Sequence, residues 1–204
     1  LLLNRKDFDM FKEPAIQYAD VMIDLETLAL SVDAHILRIG AVIVFLNDPT
    51  AAIFDVAVSP TGQNRKVDPE TVAFHFLHTS QEAKENSFAG AHPGHEQLTS
   101  ALYNFFGWLS TATKGYELRV WSKGVDFDIA IIEHAAKQHG LKLPWNYKQR
   151  NCFRTMVSMF PEIAAPSGYG THTALNDAMH QAEHLWRIKR FLAGDKTYVS
   201  VQEI

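Results

Sequence analysis

The sequence predicts an α/β fold in which a mixed five-stranded sheet is flanked by helices. Two observations support this class: three strand-like segments come first, and helices then alternate with strands along the rest of the chain. The 204 residues are 47% hydrophobic, which is ample for one buried core. We therefore expect a single domain over residues 19–204, preceded by a polar N-terminal extension over residues 1–18.

Periodicity and turn or cap residues assign the elements in chain order. A strand ends at Thr27, and Asp68 followed by Pro69 marks the beginning of a helix. The predicted elements are strands over 20–27, 35–46 and 51–59, with a turn over 47–50, helices over 69–78, 80–86 and 95–111, a strand over 118–121, a helix from about 127 to 140, a strand over 151–154, a helical turn over 156–160 and a long helix that ends before Gly194.

Two carboxylates, Asp24 and Glu26, lie in what is otherwise a buried apolar strand. Residues i and i+2 share one face of a strand, so these side chains project together while Val21, Ile23 and Leu25 line the other face. Two adjacent like charges are unfavourable in a half-buried position unless a cation neutralises them, and carboxylate oxygens suit Mg²⁺ or Mn²⁺. For this pair alone, the alternative is an exposed edge strand whose acids face water.

Asp126 and Asp128 lie at the beginning of the predicted helix over 127–140, just after a turn at Gly124. We expect Asp126 to be the N-cap, accepting a backbone N–H. Asp128 lies inside the first turn, where a carboxylate either favours the helix dipole or serves as a metal ligand. Gly140 is placed to end the helix.

The last helix opens with His172 and Asp177 in the run His172-Thr-Ala-Leu-Asn-Asp177. Its apolar stripe consists of Leu175, Ala178, Ala182, Leu185 and Leu192. Asp177 belongs to a separate polar face, which it shares with His180, Gln181 and His184, and is therefore not needed for packing. His172 precedes the helix on a glycine-containing loop, from which it can approach Asp177.

Together these motifs resemble the DEDDh branch of the DnaQ-like 3′–5′ exonucleases. Asp24-x-Glu26-Thr27 is similar to its first motif, Phe127-Asp128 to its second, and His172-x-Ala-x-x-Asp177 to its third. Three further segments are similar to the sub-branch that contains RNase AS and related phage exonucleases: the beginning of the helix over residues 67–75, Pro144-Trp145, and Arg154-Thr155. Two positions depart from the usual motifs, since Ala29 replaces a common glycine and Lys123 replaces a frequent asparagine.

The resemblance implies a ribonuclease H-like fold with strand order 3-2-1-4-5 and a two-metal mechanism. Asp24, Glu26, Asp128 and Asp177 would bind two Mg²⁺ or Mn²⁺ ions, which activate water and stabilise the attacking and leaving oxygens. His172 would be the general base. The implied activity is stepwise hydrolysis of single-stranded RNA or DNA from the 3′ end, releasing nucleoside 5′-monophosphates.

The resemblance also implies substrate contacts. Thr27 and Leu28 would meet the terminal nucleotide through backbone groups and an apolar wedge, and Phe74 or His75 would stack on a base. Core packing is the favoured alternative for Phe74, because several apolar residues crowd the same short helix. Lys123 either contacts phosphate or is a solvated lysine in a turn.

The sequence also allows two other functions, a non-catalytic nucleic-acid-binding module and a zinc peptidase. A non-catalytic nucleic-acid-binding module of the same fold would lack turnover, although the complete set of four acids and a histidine argues against it. The run His180-Gln-Ala-Glu183-His184 matches the H-x-x-E-H pattern of zinc peptidases. That pattern needs a distant third acid, so we expect the two histidines to be solvated or to flank the nuclease cleft.

Charge and cysteine usage limit the partners and the compartment. The net charge of −4 argues against a protein that coats nucleic acid with a broad basic surface, so we expect local binding at a strand end. No apolar run is long enough to cross a membrane, and we expect no signal peptide. The single Cys152 fits a reducing compartment, the cytoplasm of a bacterium or of a phage-infected host. A homodimer is a further expectation from the resemblance.

Overall fold

The computed structural model describes residues 17–92, 95–169 and 172–199. Its five strands are β1 (Tyr18–Thr27), β2 (Ile36–Phe45), β3 (Asp48–Ala57), β4 (Glu117–Ser122) and β5 (Arg150–Cys152). They form one sheet in the order β3-β2-β1-β4-β5. β1 pairs antiparallel with β2 and parallel with β4, so the sheet is mixed, as the sequence predicts. Residues 1–16 lie outside the described part, and the N-terminal extension stays a prediction.

Six α-helices surround the sheet in the described ranges. They are α1 (Pro69–His78), α2 (Gln81–Ser87), α3 (Leu98–Ala112), α4 (Asp128–Gln138), α5 (Phe153–Met159) and α6 (Ala174–Leu192). Asp68 accepts the backbone N–H of Glu70 as the predicted N-cap of α1. Gly140, at φ 66°, follows the last turn of α4 as expected. No helix in the described ranges is long and apolar enough to cross a membrane.

The predicted turn over 47–50 is wrong, because β3 already begins at Asp48. Only Leu46 and Asn47 form the turn after β2. Pro49 therefore lies within a strand, which is tolerated because β3 is at the edge of the sheet and needs no hydrogen bond from that position. At the other edge, the predicted strand over 151–154 ends at Cys152, and α5 begins directly at Phe153.

The alternation along β1 divides the core into two layers. Val21, Ile23 and Leu25 face the larger apolar cluster, which includes residues of α3 and α4. Met22 faces a smaller cluster with residues of α5 and α6. The carboxylates at positions 20, 24 and 26 share the Met22 face and are directed toward α6.

A buried ion pair joins the N-terminal end of β1 to the C-terminal half of α6. Asp20 is fully buried and accepts hydrogen bonds from Arg119, from Trp121 and from Lys189 of α6. Burial lowers the pKa of Lys189 to about 8. Because a buried carboxylate without partners is costly, these contacts fix the position of α6 along β1.

The other end of α6 lies directly on the sheet. A side chain at Gly40 of β2 would place its Cβ 2.4 Å from the backbone carbonyl carbon of Ala174, the first residue of α6. Gly40 also pairs with Asp24 across the strands. This close approach brings the first turn of α6, with Asp177, next to the acidic face of β1.

Two expectations about α6 are wrong. Leu192, assigned to the apolar stripe, is 59% exposed. His184, expected to be solvated or at the cleft, is buried against Phe153 and bonded through Nε2 to the carbonyl of Ile163. The sequence does not reveal that α5 and the segment before α6 cover this face of the helix.

Candidate active site

Three carboxylates converge where β1 ends and α6 begins. One oxygen from each of Asp24, Glu26 and Asp177 lies within 4.8 Å of the others, and this is the single such group of potential metal ligands among the described residues. Asp24 and Glu26 reach the site by the two-residue repeat of β1, and Asp177 reaches it from the first turn of α6. Three negatively charged side chains this close form a natural binding site for a cation.

Asp128 is the fourth acid. It is carried by α4, which packs on the face of the sheet opposite to α6. It is the first residue of α4 and is buried, with its Oδ1 accepting the backbone N–H of Leu25 at 3.1 Å. Its charge raises the pKa of Asp24, so the two carboxylates are close enough to interact. The predicted capping role of Asp126 is wrong, because Phe127 occupies the N-cap position without a side-chain hydrogen bond.

The pKa of every one of these four carboxyl groups is raised, chiefly by burial. The pKa of Glu26 rises to about 8 and that of Asp128 to about 7. The pKa of Asp24 is well above its usual value because of burial and then the charges of Asp128 and Asp177. Four acids that resist ionisation together, yet offer only hard oxygen donors, fit Mg²⁺ or Mn²⁺, whose charge would offset theirs.

Basic side chains near the site lower the pKa values of the acids, but they offset the effect of burial only in part. Arg38, opposite Glu26 on β2, lowers the pKa of Glu26, but its guanidinium is already bonded to both carboxylate oxygens of Asp55. Lys123 is exposed, and its charge lowers the pKa of Asp128 and Asp177. Lys123 is therefore near the acids and still accessible to a phosphate.

His172 lies at the mouth of the site in an unusual backbone conformation. Its φ is 62°, in the left-handed region, and its backbone N–H donates to Oδ2 of Asp177 at 3.1 Å. A non-glycine residue there costs about 1–3 kcal/mol, and such strain clusters at active sites. The ring is exposed and lies edge-on to Phe74, with 5.7 Å between the ring centroids.

Phe74 is on the surface, so the core-packing interpretation is wrong. It is 42% exposed and lies on α1 beside His172. The residue of α1 that is buried is His75, whose Nε2 is 2.9 Å from the carbonyl oxygen of Thr27. This contact fixes α1 to the end of β1 and leaves Phe74 facing the cleft.

The structure places Thr27 and Leu28 at the end of β1, next to the acids, but mostly engaged within the protein. Thr27 is buried, and its hydroxyl donates to the carbonyl of Ala29. The N–H of Leu28 donates to His35 and its carbonyl accepts from Asp68. Both backbone groups of Leu28 are thus already paired before any substrate arrives.

One residue at the site was not assigned a role from the sequence. Gln181 donates a 2.8 Å hydrogen bond from Nε2 to Oδ1 of Asp24. The available signal was its position four residues after Asp177, which places both on one face of the helix. Pattern alone could not identify the strand residue opposite it.

The H-x-x-E-H run does not form a zinc site. Nε2 of His180 is bonded to the carbonyl of Pro166, as Nε2 of His184 is to that of Ile163. Glu183 is paired with Arg187 and accepts from Tyr169. No third acid, histidine or cysteine joins them within the described residues.

Residues 19–188 match the family described as the 3'-5' exoribonuclease Rv2179c-like domain. The chain belongs to this family. The match covers all four acids and His172, and it makes the chain a 3′–5′ exonuclease by family. Among curated proteins, no sequence matches it. The finer assignment to the RNase AS-like and phage sub-branch stays a prediction.

Solved structures with the same fold include the nuclease domain of a DEDDh family member and other nucleases. The nuclease domain of 3'hExo, a DEDDh family member bound to rAMP, has a TM-score of 0.59 at 11% identity, covering 94% of this chain and 99% of that one. Cell-death related nuclease 4 has a TM-score of 0.54 at 16% identity, covering 85% and 64%. E. coli Exonuclease I with a dA16 oligonucleotide has a TM-score of 0.60 at 12% identity, covering 85% and 41%. At these identities, the comparison establishes the ribonuclease H-like fold.

Proposed function

We propose that this Rv2179c-like exonuclease hydrolyses single-stranded RNA stepwise from the 3′ end and releases nucleoside 5′-monophosphates with the help of two divalent ions. The observation that carries the proposal is the convergence of Asp24, Glu26, Asp177 and Asp128 beside an exposed histidine. A lone acidic cluster has many explanations, but one with a strained histidine at its edge fits hydrolysis of a phosphodiester.

Asp24, Glu26, Asp128 and Asp177 would hold two Mg²⁺ or Mn²⁺ ions. Such ions supply a nucleophile near neutral pH and charge stabilisation for the attacking and leaving oxygens. The protein contributes a fixed set of donors: β1 supports two of them, and the first turns of α4 and α6 support one each. Their raised pKa values mean that ions must displace protons on binding.

His172 is proposed as the general base that accepts the proton of the attacking water. Its ring is exposed, while its backbone is fixed by the hydrogen bond to Asp177. The acid that positions the histidine backbone is also a proposed metal ligand. Asp177 would therefore link the position of the base to the set of acids that would hold the ions.

Phe74 and Lys123 are proposed to bind the strand. Phe74 offers an accessible ring beside His172 on which the terminal base can stack. Lys123 is an exposed cation beside the acids and can contact a phosphate. Thr27, Leu28 and His75 are proposed to have supporting roles. His75 is buried and bonded to the carbonyl of Thr27, and the carbonyl of Leu28 accepts the N–H of Asp68, so these residues hold α1 against the end of β1.

RNA is proposed over DNA because the family is described as an exoribonuclease domain. The solved relatives include 3'hExo with rAMP and Exonuclease I with a DNA oligonucleotide, so the fold accommodates both sugars. Discrimination rests on contacts to the 2′-hydroxyl.

The test is degradation of matched 5′-labelled RNA and DNA strands with Mn²⁺ or Mg²⁺. We expect a descending ladder from RNA, slower cleavage of DNA and of 3′-phosphorylated RNA, and release of 5′-monophosphates. Asp24→Asn should remove most of the activity. A single labelled mononucleotide at early times would indicate 5′ attack, and full activity in chelator would contradict the metal assignment.

We also propose an oligomeric state and a cellular location. A homodimer is favoured by large apolar side chains on the surface, among them Leu30 at 75% and Leu77 at 74% exposure. Light scattering during size-exclusion chromatography would give the mass. A cytoplasmic location is proposed from the single free Cys152.

A further inference from the structure

Gln181 lies at the centre of the contact between α6 and β1. It follows Asp177 by one helical turn, so both side chains project toward the strand. Its Nε2 donates to Oδ1 of Asp24 at 2.8 Å. Further along the same pair of elements, Lys189 binds Asp20. Hydrogen bonds therefore join α6 to β1 at two levels, and Gln181 makes the one beside the acidic site.

Packing does not explain an amide at this position. Gln181 is 5% exposed, and its neighbours Ala178, Ala182 and Leu185 belong to the apolar cluster under α6. Its Oε1 is buried and accepts no hydrogen bond from the described residues. A buried oxygen without a hydrogen-bond partner destabilises the fold. Methionine has nearly the same shape and would fill this position without that cost.

The one described interaction that requires the amide is its bond to Asp24. An ionised carboxylate only accepts hydrogen bonds, so Nε2 is the atom that faces it. This bond restricts rotation of the carboxylate and leaves its other lone pairs for ions. We propose, on the basis of the proposed function, that Gln181 is a positioning residue that orients Asp24 for the binding of divalent ions.

The decisive variant is Gln181→Met, studied in the full chain. Loss of a hydrogen-bond partner to a metal ligand typically costs about 10- to 100-fold in metal affinity or activity. We expect Mn²⁺ affinity, measured by calorimetry, and kcat at fixed Mn²⁺ to fall in that range, with KM for the oligonucleotide within a few-fold of wild type. The urea midpoint without metal should stay equal or rise. A purely structural glutamine would give the opposite: lower stability and unchanged Mn²⁺ affinity.

Gln63→Met is the matched control. Gln63 is 2% exposed, but its amide is fully used: it donates to the carbonyls of Ile36 and Ser59 and accepts the N–H of Ile36. This variant should lose stability and bind Mn²⁺ as wild type does while folded. The pair thus separates a glutamine that supports the fold from one that supports a ligand.

The outcomes distinguish this inference from the function on which it rests. If wild type binds Mn²⁺ and Gln181→Met binds it equally well, the inference is overturned and the nuclease assignment stands. A wild-type protein that binds no Mn²⁺ would overturn both. Weaker Mn²⁺ binding with retained stability in Gln181→Met alone supports the positioning role.

Discussion

At the scale of single residues, the site depends on side chains whose local environments are unfavourable. His172 adopts a left-handed backbone, Gln181 has a buried oxygen to which no described residue donates a hydrogen bond, and Glu26 has a pKa of about 8. Each feature destabilises the fold slightly, and each lies within the acidic site or beside it. Locally unfavourable conformations and environments of this kind are expected at active sites, where the arrangement of the side chains serves the reaction.

His172→Ala tests the proposed base. A general base typically contributes about 10²–10⁴-fold to turnover, so kcat should fall within this range while Mn²⁺ affinity changes little. The control is His139→Ala, because His139 lies at the end of α4 and bonds to Thr99, on the opposite face of the sheet. Full kcat in His172→Ala from about pH 6 to pH 9 would rule out this role.

Phe74→Ala tests the stacking position. Stacking on an aromatic side chain is worth about 1–3 kcal/mol per base, so KM should rise roughly 5- to 150-fold with kcat largely retained. Phe76→Ala is matched to it: Phe76 lies on the same helix and is 54% exposed, but it stacks on Phe88 rather than beside His172. Equal effects of the two substitutions on KM would contradict a specific role for Phe74.

At the scale of elements, the position of α6 on the sheet decides whether the acids meet. Gly40→Ala would force a Cβ against the backbone of Ala174 and displace the first turn of α6. We expect lower stability and a loss of activity, because Asp177 and His172 move with that turn. Thermal unfolding and oligonucleotide hydrolysis measure the two effects.

Gly107→Ala is the control for that substitution. A Cβ at Gly107 meets no atom of another described residue within 4 Å, and the residue lies within α3. Alanine there should stabilise the protein by roughly 0.5–1 kcal/mol and leave activity intact. If Gly40→Ala behaved in the same way, α6 would not be seated on β2 as described.

The sequence predicts some of the arrangement of these elements and side chains, but not all of it. The pairing of Asp24 with Glu26 follows from the two-residue period of a strand, and the strand order was available from the family resemblance. Whether Phe74 packs inside or faces the cleft was not predictable, because it depends on His75 bonding to Thr27, 48 residues away in sequence. The burial of His184 likewise depends on contacts made by α5 and by Ile163.

At the scale of the whole molecule, the acidic site couples stability to pH and to metal. Glu26 and Asp128 have folded pKa values of about 8 and 7, above the ordinary values of 4.5 and 3.8. At a pH between the ordinary and the folded pKa of each group, the folded state holds a proton that the unfolded chain has released. The free energy of unfolding without metal therefore falls as pH rises through this range. The slope is about 1.4 kcal/mol per pH unit for each such proton.

Urea denaturation in chelator should therefore give a higher midpoint near about pH 5.5 than near about pH 8. Mn²⁺ should reverse this trend, because ions bind the ionised carboxylates and stabilise the folded state most at high pH. Glu26→Gln should flatten the pH dependence in chelator and reduce the stabilisation by Mn²⁺. A midpoint in chelator that rises from pH 5.5 to pH 8 would contradict the raised pKa values.

The most direct test of the metal site is anomalous diffraction from crystals of the wild-type protein soaked in Mn²⁺. The account predicts two manganese peaks bound by the carboxylates of Asp24, Glu26, Asp128 and Asp177. A non-catalytic module would give no such pair, and a zinc peptidase would bind metal at His180 and His184. Absence of manganese at the four acids, or metal at the two histidines instead, would contradict the central claim.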